Sequence, residues 1–253
     1  MYGAKKLRYS ISLTIQKLRS RSLKGEAKRE ILSFAPYRIF IYQDLLEKVL
    51  SDEKYMVCNL ENVLEKKRKD KINILLRHDI DTAECIKNMA LLLEKDLKHH
   101  FIPSVYLRVD GETYSLRRWR NAIDEYHRMG IPFGLHSVCY IHDRYFEIFR
   151  DETKRFIDET GMIPKSFTLH GLGELGLKNR MQFISKAERA AKENGYFMTD
   201  CSKNYISYDY VIHDSHWDEI SQNRYIWDEF VEIPGFSEGR FYLILTHPCY
   251  WKN

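Results

Sequence analysis

The sequence predicts an α/β protein built on a parallel sheet, closed or nearly closed, and three observations carry that prediction. Short apolar runs of strand character recur at 72–76, 103–109, 131–136, 165–170 and 241–246, and each of the first four is followed by a segment of helical periodicity. Several of these runs end on acidic or imidazole side chains, and the carboxyl ends of strands are where such sheets and barrels carry out chemistry. A length of 253 residues with 44% hydrophobic and 30% charged composition suits one sizeable soluble domain with an extension, enough to bury a full core.

The elements follow in order. Leu7, Ile11, Ile15 and Leu18 share one helical face with Lys5, Lys6, Arg8, Lys17 and Arg19 around it. Residues 1–34 thus read as a basic amphipathic extension and residues 35–253 as the main domain. The extension carries nine lysines and arginines against Glu26 and Glu30, leaving +7, so the rest of the chain holds −3 of the total +4. That arm suits peripheral contact with an anionic membrane surface, or packing on the domain. A helix is predicted at about 38–50, a short strand near Tyr55-Met56-Val57 and a charged helix through Glu61–Lys67. Strand 72–76 leads to a helix at 82–97, and strand 103–109 to a helix from Ser115 to Met129, with Ser115 as its N-cap and Gly130 as its stop. Strand 131–136 leads to a helix between Asp143 and Thr160 closed by Gly161, and strand 165–170 to a helix at 184–193 with Gly195 beyond it. Further strands are expected near 196–200, 209–214 and 241–246.

Several function classes are excluded on composition. No basic stripe recurs around an aromatic platform in the main body, so nucleic acid is not an expected partner. No apolar run reaches spanning length, and Ile11 to Ile15 is broken by Ser12 and Thr14, unlike an export signal. The five cysteines, Cys58, Cys85, Cys139, Cys201 and Cys249, are scattered and form no CxxC pair, which favours a reduced, cytoplasmic setting. The loop Gly171-Leu172-Gly173-Glu174-Leu175-Gly176 lacks the lysine-serine finish of a phosphate loop.

The chemistry concentrates in Arg77-His78-Asp79-Ile80-Asp81, which follows a buried strand, and in His136, His170 and His247 at the ends of three other runs. A divalent metal held by imidazole and carboxylate, with positions left open, polarises a carbonyl and acidifies water. Cleaving an amide or ester also needs a base for the water and an acid for the leaving group. These five residues are enough for all three tasks. Alternation along a strand sends Asp79 and Asp81 the same way, provided the segment stays extended. Asp81 also has an ordinary explanation, as an N-cap paired with Glu84 three residues on. For Arg77, a charge-assisted bond orienting Asp79 stands beside a plain packing ion pair.

With these residues in view, the chain resembles the polysaccharide deacetylase superfamily (carbohydrate esterase family four, nodulation-type deacetylases), in the branch that opens with Arg-His-Asp-Val-Asp. The residues that carry the likeness are Arg77-His78-Asp79-Ile80-Asp81, Gly134-Leu135-His136, Leu169-His170-Gly171, Asp214-Ser215-His216-Trp217 and Thr246-His247-Pro248-Cys249-Tyr250-Trp251, and it runs from about residue 37 to 253. The resemblance implies a distorted (β/α) barrel of about seven strands and metal-assisted removal of an acyl group from an N-acetylated amino sugar or glycan conjugate. It makes Asp79 the base, Asp81 and His136 metal ligands, and His247 the acid that protonates the departing amine. Arg77, Asp214, Trp217 and Trp251 become candidate substrate-binding residues, the two tryptophans as sugar-stacking walls or as core packing.

Two positions depart from the best-known members, which carry adjacent aspartates and a second metal histidine four residues after the first. Here Ile80 separates the acids, so Asp79 and Asp81 are open to exchange of roles, and Tyr140 stands where the histidine would be. His170 is the expected third ligand, with His142 the alternative. Zinc is the expected metal for two histidines and one aspartate, with nickel, cobalt, iron and manganese as alternatives. The expected function is a cytoplasmic or membrane-peripheral carbohydrate deacetylase acting on a small, nucleotide-linked or lipid-linked sugar. The competing readings are a non-catalytic carbohydrate-binding relative and another metal-dependent hydrolase on the same barrel.

Overall fold

The computed structural model describes residues 37–109, 114–139, 142–171, 177–196, 198–199, 210–214 and 237–253. The expected extension over residues 1–34, with its membrane contact, lies outside them. So do Tyr140 and Trp217.

Ten strands are described: β1 (Tyr37–Arg38), β2 (Tyr55–Cys58), β3 (Ile72–Ile80), β4 (Ser104–Leu107), β5 (Phe133–Ser137), β6 (Ser166–Leu169), β7 (Met198–Thr199), β8 (Tyr210–His213), β9 (Phe241–Thr246) and β10 (Trp251–Lys252). The main sheet runs β7-β6-β5-β4-β3-β9-β8, all parallel, which is a seven-strand path consistent with a distorted, incompletely closed (β/α) barrel. One edge of β3 is shared. Residues Ile72–Leu75 pair with β2 and Arg77–Ile80 with β4, while the other edge pairs with β9. Apart from the main sheet, β1 and β10 pair in parallel, joining the two ends of the domain.

All nine residues of β3 are buried. A strand covered on both faces reads as a continuous apolar run, which explains why its apolar half is plain in the sequence. The expected strand 72–76 is therefore short by four residues, because Arg77 to Ile80 continue the ladder onto β4. Side-chain alternation then sorts β3 into two faces. Ile74, Leu76 and Ile80 face the helical layer, while Leu75 packs with Cys58, Leu60, Val63, Tyr106, Phe241 and Leu243 on the concave face. Arg77 and Asp79 share the concave face with Leu75. His78 faces the helices.

The helices are α1 (Ile39–Asp44, continued by a wider turn over Leu45–Leu50), α2 (Val63–Lys66), α3 (Ala83–Lys98), α4 (Arg120–Arg128), α5 (Tyr145–Thr160) and α6 (Leu177–Glu193). Thr82 caps α3 by accepting from the Cys85 N–H at 3.1 Å. Asp81 is thereby relieved of the capping role and left to the strand end. Ser115 makes no side-chain cap; the Leu116 and Arg117 N–H groups donate to Glu159 Oε2 at 2.8 and 3.3 Å, so a distant glutamate does that work. Gly130 and Gly161 end α4 and α5 at φ 93° and 80°, a backbone region that favours glycine. Helix α6 starts at Leu177, seven residues before the expected 184.

The buried face of α3 carries Cys85, Ile86, Met89, Leu92, Leu93 and, unexpectedly, Asp96. Its partners explain it: Tyr42 Oη donates to Asp96 Oδ1 at 2.6 Å, and His78 Nε2 lies 2.8 Å from Asp96 Oδ2. The other ring nitrogen of His78 lies 2.5 Å from Thr246 Oγ1. This fully buried chain ties α1, α3, β3 and β9 together behind the concave face. It leaves no buried polar atom of its members without a partner, which is the condition for such a network to stabilise.

Candidate active site and metal centre

Strand pairing brings the candidate residues to one end of the sheet. Asp79 is opposite Tyr106 on β4, and His136 on β5 is opposite Thr168 on β6. Alternation along β5 and β6 sends Gly134 and His136, then Ser166, Thr168 and His170, to the concave face, while Phe133, Leu135, Phe167 and Leu169 enter the core beneath the helices.

Three of these side chains converge. His136 Nε2 and His170 Nδ1 each lie 3.1 Å from Asp81 Oδ1 and 3.2 Å from one another. One donor atom from each residue falls within 4.8 Å of the other two. Two imidazole nitrogens and a carboxylate oxygen facing one point fit a divalent cation in composition and in spacing. His136 Nδ1 lies 2.5 Å from Thr168 Oγ1, a partner that fixes the ring and leaves Nε2 for the cluster. Burial pushes the His136 imidazole below its ordinary value, toward the neutral form that a metal needs. Burial would raise Asp81, yet the hydrogen bonds from His136 and His170 hold its carboxyl well below the usual range. His142, the alternative ligand, is exposed and stands outside the cluster.

Asp79 sits deeper. Arg77 forks onto it, with Nε donating to Oδ1 at 2.7 Å and Nη2 to Oδ2 at 2.5 Å. Burial opposes its charge, but the Arg77 guanidinium and then His136 keep the carboxyl ionised and below its ordinary value. His136 Nε2 is 3.5 Å from Asp79 Oδ2. Arg77 in turn lies over the Tyr106 ring at 5.1 Å, and Tyr106 fits because Gly134 beneath it has no side chain. A Cβ at Gly134 would stand 2.7 Å from Tyr106 Cδ1 and 2.8 Å from the Ser166 carbonyl oxygen.

His247 closes the opposite wall from the end of β9. Its Nδ1 lies 2.6 Å from Asp214 Oδ1, its backbone N–H donates to Asp214 Oδ2 at 2.8 Å, and its Nε2 points to Asp81 Oδ2 at 3.4 Å. Burial disfavours the imidazolium, but Asp214 outweighs it, followed by Asp81 and Asp79, and the ring is pushed up to about 10. Asp214 thus favours the protonated imidazole, with Nδ1 fixed and Nε2 aimed into the site.

Three of the candidate substrate-binding residues are buried and bonded within the fold. Trp251 is 0% exposed and donates its indole N–H to Asp214 Oδ2 at 2.7 Å, so it cannot stack on a sugar. Asp214, also 0% exposed, is engaged by His247 and Trp251 and holds the His247 ring in place. Arg77 is buried with its fork on Asp79 and its face on Tyr106, so it too supports the site from below. Trp217 falls outside the described residues. Thr168 and Arg108 were missed. Thr168 stands two residues before His170, and strand alternation alone places it on the same face. Arg108 is a charged residue in an otherwise apolar run, and its Nη1 reaches His170 Nε2 at 3.2 Å.

No family model matches the chain, and no curated protein matches it. Among solved structures, it is similar to the Bc1960 peptidoglycan N-acetylglucosamine deacetylase at 14% identity and a TM-score of 0.42, over 74% of this chain and 80% of that one.

Proposed function

We propose that the protein is a divalent-metal-dependent hydrolase that removes the N-acyl group, acetyl in the simplest case, from an amino-sugar-containing glycan or sugar conjugate. The observation that carries the reading is the convergence of Asp81 Oδ1, His136 Nε2 and His170 Nδ1 beside a separate His247 paired with Asp214. The resemblance of the strand-end motifs to polysaccharide deacetylases supplies the substrate class. Asp81, His136 and His170 would hold the cation. When bound there, a divalent cation supplies a Lewis acid for the amide carbonyl and lowers the pKa of water at the site.

The remaining work falls to the chain's own groups. Asp79, kept anionic by Arg77, takes a proton from the attacking water, which adds to the acyl carbon. His247 donates its Nε2 proton to the sugar nitrogen as the C–N bond breaks, so that amine and carboxylate leave. Asp214 keeps the His247 ring in place and charged until then. Asp79 makes a weak base because Arg77 occupies both its oxygens, a cost accepted for a fixed orientation. Asp81, at 15% side-chain exposure against 3% for Asp79, is the more accessible carboxylate, as a ligand at a cleft should be.

The test is metal content by elemental mass spectrometry on untagged wild type and His136→Ala, followed by acetate release from N-acetylated sugars. Near-stoichiometric metal in wild type, its loss in the variant and metal-dependent acetate release are the expected results. Negligible metal in both after reconstitution would sink the reading in favour of a carbohydrate-binding protein. Release of phosphate or ammonia without acetate would move it to another hydrolase class.

A further inference from the structure

Arg108 enters the site from just beyond β4. Its backbone N–H donates to Tyr114 Oη at 2.9 Å, and that hydroxyl donates to the Ile80 carbonyl at 2.5 Å, so the ends of β3 and β4 are pinned together and the arginine's main chain is fixed. The guanidinium reaches inward. Nη1 lies 3.2 Å from His170 Nε2 and 3.4 Å from the Asp81 carbonyl oxygen.

A guanidinium carries donors only, so His170 Nε2 must present its lone pair to Arg108, and the ring proton sits on Nδ1. That nitrogen is 3.1 Å from Asp81 Oδ1, which receives the proton. It is also the nitrogen that His170 turns toward Asp81 and His136, the other members of the candidate cluster. For Nδ1 to offer its lone pair to a cation, the proton must move to Nε2, where it would meet a guanidinium N–H head-on. The Arg108 contact and a His170–metal bond are therefore mutually exclusive.

We propose that Arg108 is a built-in competitor of the metal: it holds His170 in the tautomer that cannot ligate, and loading requires the guanidinium to withdraw from the ring. The inference rests on the metal-centre reading above, but it assigns a role to a residue outside the ligand set. Because the main chain at Arg108 is tied down, withdrawal is a side-chain motion, and the freed guanidinium remains beside the cleft.

The experiment compares zinc affinity, by competition with a chromophoric chelator, in wild type, Arg108→Met and Arg108→Ala. Arg117→Gln, an exposed arginine on the following turn, controls for loss of charge alone. Both Arg108 variants should bind zinc about tenfold more tightly, the scale of one charge-assisted hydrogen bond, while Arg117→Gln shifts affinity less than twofold. In the metal-free protein, long-range proton–nitrogen correlation spectra should show the His170 proton on Nδ1. Wild type that binds zinc, with Arg108 variants binding equally or more weakly, overturns the competition and leaves the metal centre standing. A His170 proton found on Nε2 in metal-free wild type overturns it independently of any affinity and of either variant's folding. Zinc bound by none of the proteins overturns the metal reading and this inference together.

Discussion

At the scale of single residues, the site is organised by what each donor and acceptor must face. His247 is held charged by Asp214, so His247→Ala should leave bound metal unchanged while turnover falls by about 10²–10⁴, measured by acetate release and metal analysis on the same preparation. Loss of metal in that variant would reassign His247 as a ligand. Thr168 tests the opposite property. Thr168→Val removes the partner of His136 Nδ1, and metal affinity should weaken by about 10–100-fold with little change in fold, read by chelator competition. Strand-end position made Asp79, Asp81, His136, His170 and His247 legible in the sequence. It could not separate groups that face the cleft from groups that brace it, because Trp251, Asp214 and Arg77 acquire their bracing role from contacts across the fold. Thr168 was legible by alternation, being two residues from His170, but hydroxyls are common on strands and nothing local distinguishes it.

At the scale of elements, β3 governs the site, because alternation along one strand puts Arg77 and Asp79 on the concave face and His78 among the helices. The Gly134–Tyr106–Arg77 stack supports that arrangement from β5 and β4. Gly134→Ala should destabilise the domain by about 1–3 kcal/mol through overpacking, seen as a lower denaturation midpoint. It should also impair catalysis in the folded fraction, since Tyr106 must shift and Arg77 rests on it. An unaffected rate per folded molecule would show that the stack does not orient Asp79. Helix ends were partly legible. Gly130 and Gly161 stop their helices as expected, each at positive φ. The Ser115 cap failed because Glu159, 43 positions along the chain from Leu116, satisfies those N–H groups instead. Local propensity cannot anticipate an acceptor delivered by another helix.

For the whole molecule, metal and charge should govern stability. Zinc at a hundredfold excess over Kd should raise the melting temperature of wild type by about 5–10 °C and leave His136→Ala unmoved, as differential scanning calorimetry would register. In the metal-free protein, folding raises the His247 imidazole from 6.5 to about 10. A group raised on folding favours the protonated native state, so its contribution is fully present below pH 6.5 and is lost as pH rises through about 10. The stability gap between wild type and His247→Gln should accordingly be widest near pH 6 and narrow toward pH 10; a gap independent of pH would contradict the pairing with Asp214.

The sequence by itself determined the α/β class, the parallel order implied by repeated strand–helix units, and the strand ends on which acids and imidazoles stand. Those properties follow from periodicity, connection length and residue type, all of which are local. Only the tertiary structure decided which groups meet: Asp81 with His136 and His170, Asp79 with Arg77, His247 with Asp214 and Trp251, Asp96 with His78 and Tyr42. The physical reason is that pairing register and burial, which set those distances and the charge each group can hold, depend on residues far apart in the chain.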